Sequence, residues 1–156
     1  MLLNKQLLDI LKQLLNLEIE TCGVIKIVNN KVLLEIHTSE FDKDNECIHN
    51  YYAQHIFHTH VQHGKSYPSA QDIVKVLKNS KITTSLIATH WGIWEICSAK
   101  KHAFTTSEQT YIIQRIEKML YPIHEYGAYD DNVEKYIQDI EKKYKEFNLR
   151  IKFTSW

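Results

Sequence analysis

Four histidines fall within nine residues of one another: His55, His58, His60 and His63. The segment HIFHTHV around them reads as a short β-strand, and residues two apart on a strand project from the same face. Of the four, only His58 and His60 have that spacing. Two neutral imidazoles on one face can take two corners of a tetrahedral zinc site, with a nearby carboxylate as third protein ligand and water in the fourth place. Asp72 offers the carboxylate, because it lies in the first turn of the helix expected after Pro68–Ser69. The chemistry on offer is hydrolysis: zinc lowers the pKa of bound water toward about 7 and polarises a carbonyl. A carboxylate that shuttles protons and a donor that stabilises a tetrahedral intermediate would complete such a centre.

Plainer roles exist for the same residues. Ser69 and Asp72 stand at i and i+3, which is also how a helix cap and a first-turn acid are placed. A lone His-x-His on a strand is a weak motif by itself. His55, His63 and His90 read as surface or hydrogen-bonded histidines rather than ligands. Cys22 sits among apolar residues, where a thiol is usually inert packing rather than a nucleophile.

The elements that must position these groups are legible from periodicity and turn signals. Leu3, Leu7, Ile10, Leu11 and Leu14 recur at helical spacing and make one apolar stripe. IETCGVIKIVN and KVLLEIHT read as two antiparallel strands joined at Asn29–Asn30, since asparagine tolerates positive φ. Residues 39–50 are polar and acidic and read as an exposed loop. Ser69 is a good N-cap, and Ile73, Val74 and Leu77 give the following helix a buried side. SLIATH and GIWEICS read as buried strands separated by a turn at Trp91–Gly92. Helices are expected near Ser107–Leu120, opened by a capping box around Thr106–Glu108, and near Asp131–Phe147. LRIKFTSW has the alternation of a closing strand. The fold class these elements define is mixed α/β (α+β), a mixed sheet flanked by helices, in a single domain over residues 1–156 whose C-terminal helices and closing strand begin near 107.

Composition fits that size and class. The chain has 156 residues, 44% of them hydrophobic and 24% charged, in the range of an ordinary globular domain. Nineteen basic residues balance nineteen acidic ones, which argues against nucleic acid as the partner. No apolar run approaches the length that spans a bilayer, so no membrane partner is expected. Three cysteines, Cys22, Cys47 and Cys97, form no CxxC pair. That count argues against a disulfide framework and for a reducing, cytoplasmic setting. Tyr121, Tyr126, Tyr129 and Tyr136 cluster around and after Pro122, as core packing or as a partner surface.

Taken together, HTH followed by PSAQD resembles the signature of the JAMM/MPN-plus (JAB domain) zinc metalloproteases, a His-x-His pair and then Ser-x-x-Asp. Upstream, Glu20–Thr21–Cys22–Gly23 is similar to the segment that carries the family's catalytic glutamate, closest to the AMSH-type deubiquitinases. The resemblance covers residues 17–98 well and the remainder in outline. It implies a curved mixed sheet in a cytidine-deaminase-like arrangement. It also implies zinc held by His58, His60 and Asp72, Glu20 as general base toward a zinc-activated water, and Ser69 as oxyanion stabiliser. The implied activity is an isopeptidase acting on ubiquitin or ubiquitin-like conjugates. Alternatives are a same-fold peptidase acting on a short peptide or sulfur-carrier precursor, and a non-catalytic scaffold. Three departures stand out: Val61 replaces the usual proline, the stretch from His60 to Ser69 is one residue longer than usual, and VIKIV lacks a second glycine. Glu18, two residues before Glu20, is the rival base.

Overall fold

Among the described residues nine elements are assigned, and their order follows the apolar patterning closely. The computed structural model describes residues 3–17, 19–36, 53–60, 66–79, 81–98, 105–126, 134, 137–138, 142 and 149–156. Helix α1 (Lys5–Leu14) starts at Asn4, whose side chain accepts the Leu7 amide hydrogen at 2.8 Å. It buries Leu7 and Leu11, with Leu3, Leu8, Leu14 and Leu15 packed around them. Strands β1 (Cys22–Val28) and β2 (Lys31–Ile36) form the expected hairpin. Its two turn residues, Asn29 and Asn30, have φ of 49° and 61°, the left-handed pair that a type I′ turn requires.

The remaining elements are β3 (His55–Thr59), α2 (Ala70–Lys78), β4 (Thr84–Thr89), β5 (Gly92–Ser98), α3 (Thr106–Tyr126) and β6 (Leu149–Ser155). All six strands join one sheet in the order β2-β1-β3-β4-β5-β6. Only β3 and β4 run parallel; the other neighbours are antiparallel. A parallel pair needs a crossover, and α2 supplies it, which carries the chain from His60 over one face of the sheet.

Alternation along the strands sends side chains into two separate cores. Ile56, Ile87, Trp94, Ile96 and Ile151 meet Ile73, Val74 and Leu77 of α2 and Ile112 and Ile116 of α3. On the opposite face Ile25, Phe57, Leu86, Ala88 and Ile93 meet Leu7 and Leu11 of α1. Both faces of β4 are covered, so all six of its residues are buried.

Several expectations are refined. The first strand begins at Cys22, so Glu20 lies on the approach to β1 rather than within it. The β4–β5 turn is His90–Trp91, one residue earlier than expected. The capping box of α3 is Thr105 with Glu108, each side chain bonded to the other's amide at 3.2 and 2.7 Å. Helix α3 also runs past Leu120 and through Pro122 to Tyr126. Cys22 is disulfide-bonded and Cys97 is free, so a bridge is present although the cysteine count argued against a disulfide framework. An odd cysteine count excludes complete pairing, not a single bridge. The loop at 39–50, Glu18, His63, Cys47 and the tyrosine side chains after residue 120 lie outside the described residues. So does most of the helix expected at 131–147, although Glu134, Ile137, Gln138 and Lys142 are helical. Among the described residues no helix is long and apolar enough to cross a membrane.

Candidate metal centre

The site forms where β3 ends and α2 begins. His58 is on the last turn of the β3 pleat, paired with Cys22 on one side and Ile87 on the other. His60 follows the strand's last residue, and its N–H donates to the Ala88 carbonyl at 2.8 Å, which extends the β3–β4 ladder by one step. Between them Thr59 is doubly tied to Thr21: its N–H donates to the Thr21 carbonyl at 2.8 Å, and its hydroxyl accepts the Thr21 N–H at 2.9 Å. These bonds hold the backbone extended beyond the formal strand end, so the period of two carries His60 to the same face as His58.

Asp72 arrives by a different route. Ser69 caps α2, its hydroxyl accepting the Asp72 amide hydrogen at 3.2 Å, while Asp72 Oδ2 accepts the Ser69 amide hydrogen at 2.7 Å. This is a capping box with aspartate in the third position. The plain reading of the Ser69–Asp72 pair is therefore correct, and it is also what aims the carboxylate. Asp72 Oδ1 stands 3.1 Å from His58 Nε2, Oδ2 stands 3.3 Å from His60 Nε2, and the two Nε2 atoms are 3.2 Å apart.

All three side chains are buried, at 4%, 7% and 7% exposure, so solvent does not account for the convergence. Burial pushes the His58 imidazole down from 6.5, and the neighbouring Asp72 carboxylate only partly opposes it. For Asp72 burial acts upward, but the charge of His58 and hydrogen bonds from His58 and His60 outweigh it and hold the carboxyl well below 3.8. The cluster thus offers an unprotonated nitrogen and an ionised oxygen at neutral pH.

A metal ion fits this arrangement. Donors about 2.0–2.2 Å from a tetrahedral ion lie about 3.3–3.5 Å from one another, close to the three separations here. The ligand atoms of His58, His60 and Asp72 all lie within 4.8 Å of one another, and they form the group of this kind among the described residues. Glu20 is outside that group and half-buried. Glu20 lies two residues before Cys22, the first residue of β1, which pairs with His58, and next to Thr21, which bonds Thr59. Ser69 joins the cluster through its capping bonds to Asp72.

The other candidate histidines stay apart. His55 is at the far end of β3, half-buried, with Nδ1 3.4 Å from the Thr83 hydroxyl and its pKa lowered by burial against the pull of Glu95. His90 is exposed and bonds Ser66. Sequence reasoning missed the Thr21–Thr59 tie, for which the only signal is a threonine at each strand end. No family model matches the chain, and neither curated proteins nor solved structures give a match.

Proposed function

We propose that this chain is a zinc-dependent isopeptidase of the JAMM/MPN-plus type, cleaving ubiquitin or a ubiquitin-like protein from lysine side chains. One observation carries the metal half of this reading: two buried imidazole nitrogens and a cap-fixed carboxylate oxygen converge at 3.1–3.3 Å. Two nitrogens and one oxygen suit zinc better than calcium or magnesium, which prefer oxygen. The substrate half rests on the resemblance of Glu20–Gly23, His58–His60 and Ser69–Asp72 to that family.

When bound, zinc would supply an activated water and a polarised carbonyl. His58 and His60 present Nε2 and Asp72 presents Oδ1, while Asp72 Oδ2 stays on the Ser69 amide. In this reading Glu20, outside the ligand set, would take a proton from the attacking water and return it to the departing amine, a role that rests on the resemblance. The Ser69 hydroxyl stabilises negative charge developing on the scissile carbonyl oxygen.

Metal analysis of purified protein tests the first half: about one zinc per chain, lost in His58→Ala and Asp72→Ala. Chelator-sensitive cleavage of a ubiquitin-type conjugate tests the second. A Glu20→Gln variant that binds zinc but turns over at the wild-type rate would sink the assigned mechanism.

A further inference from the structure

The candidate metal centre is assembled from two parts of the chain. His58 and His60 belong to β3, which is clamped between β1 and β4. Ser69 and Asp72 belong to the arm that enters α2. Just before Ser69 that arm is fastened to the β4–β5 hairpin at three points. The indole N–H of Trp94, a fully buried side chain, donates to the Ser66 carbonyl at 2.8 Å. The Ser66 hydroxyl bonds His90 Nε2 at 2.9 Å. Tyr67, itself buried, lies with its ring 6.2 Å from that of Trp91, and Trp91 in turn meets His90 edge-on at 6.1 Å.

Only Pro68 separates this fastening from Ser69, whose amide fixes Asp72 Oδ2. Proline restricts its own φ and the conformation of the residue before it, so the link from Tyr67 to Ser69 is stiff. A displacement of Ser66 is therefore passed on to the Ser69 amide and to the carboxylate. His60, meanwhile, hangs on the Ala88 carbonyl of β4, the strand that leads into the turn at His90. One hairpin references both halves of the site.

We propose that Ser66 and His90 are positioning residues of the metal centre: their hydrogen bond holds the Ser69–Asp72 arm at the distance at which Asp72 completes the ligand set. The inference rests on the metal-binding reading above. Neither residue touches the metal-binding atoms, and a hydroxyl can donate or accept, so the pair forms with either imidazole tautomer. Groups that orient ligands from outside the ligand set commonly tune metal affinity.

Cobalt(II) titration of the whole chain, followed by its visible ligand-field absorption, separates the possibilities. His90→Ala and Ser66→Ala are each expected to weaken cobalt binding roughly three- to tenfold, the equivalent of one ordinary hydrogen bond. Both should alter the absorption band, and the double variant should be no weaker than either single one. His90→Gln, which keeps a hydrogen-bonding group, should recover part of the affinity. Wild-type affinity and band shape in both single variants would overturn the positioning role while leaving the metal centre standing. Wild-type protein that binds no cobalt would overturn the metal reading, and this inference with it.

Discussion

The two oxygens of the Asp72 carboxylate face different neighbours. Oδ2 closes the capping box on the Ser69 amide and Oδ1 faces His58. Substitutions can therefore separate helix stability from metal binding. Asp72→Asn keeps a carbonyl oxygen for the cap but loses the anionic ligand; we expect metal binding to fall about 100-fold or more, with at most about 1 kcal/mol of stability lost. Asp72→Ala should lose both. Isothermal titration with zinc beside urea denaturation of the metal-free protein reads the two effects independently. The histidine side has its own signature. His58, lowered from 6.5 by burial, binds fewer protons folded than unfolded, so its contribution is complete above about pH 6.5 and is lost as pH falls through the folded value. Asp72, held below 3.8, follows the same sign further down: its contribution is present above 3.8 and lost only in stronger acid. Metal-free protein should thus lose stability as pH falls below about 6.5. His55, also lowered, adds to that slope, so His58→Gln should flatten it in part and a His55/His58 double variant further. A slope unchanged in His58→Gln would mean that the buried imidazole is not the group responsible.

Among the elements, what could be read in advance was what local rules dictate. The period of two placed His58 and His60 together, Ser69 announced its helix, and Asn29–Asn30 announced its turn, because each signal lies within a few residues of its consequence. What could not be read depends on partners distant in the chain. The start of β1 is set by where β3 stops, so Glu20 fell outside the ladder although its own neighbours favour a strand. The bridge at Cys22 depends on spatial proximity that cysteine spacing does not encode. The tie between Thr21 and Thr59 spans 38 residues. Gly23 shows how tightly these strands meet. A Cβ there would drive into the Glu35 carbonyl of β2 and press on the Phe57 ring of β3. Gly23→Ala should therefore cost about 2–3 kcal/mol or prevent folding, well above the effect of alanine at an unconstrained strand position. Urea midpoints for Gly23→Ala against a solvent-facing control such as Lys31→Ala would show it, and equal midpoints would contradict the close approach.

At the scale of the molecule the sheet divides stability from chemistry. Among the described residues one face carries α2, α3, the candidate metal ligands and the fourteen-residue buried core around Trp94; the other carries α1 and a core without them. Leu11 is fully buried on the second face, in the cluster with Phe57 and Ala88, across the sheet from the face that His58 shares with α2. Ile73 is equally buried but follows Asp72 directly on α2. Truncating either to alanine removes similar apolar volume and should cost about 2–5 kcal/mol. The consequences for the metal should differ. Leu11→Ala leaves β3, the cap and the hairpin in register, so the folded fraction should bind zinc within about twofold of wild type, since distant sites add independently. Ile73→Ala loosens the seat of the first turn of α2 and should weaken zinc binding measurably at matched folded fraction. Titrations at a temperature where both variants remain folded make the comparison. Equal weakening in the two would show that the sheet transmits packing defects from one face to the other, and that the centre depends on the whole domain rather than on the face that bears it.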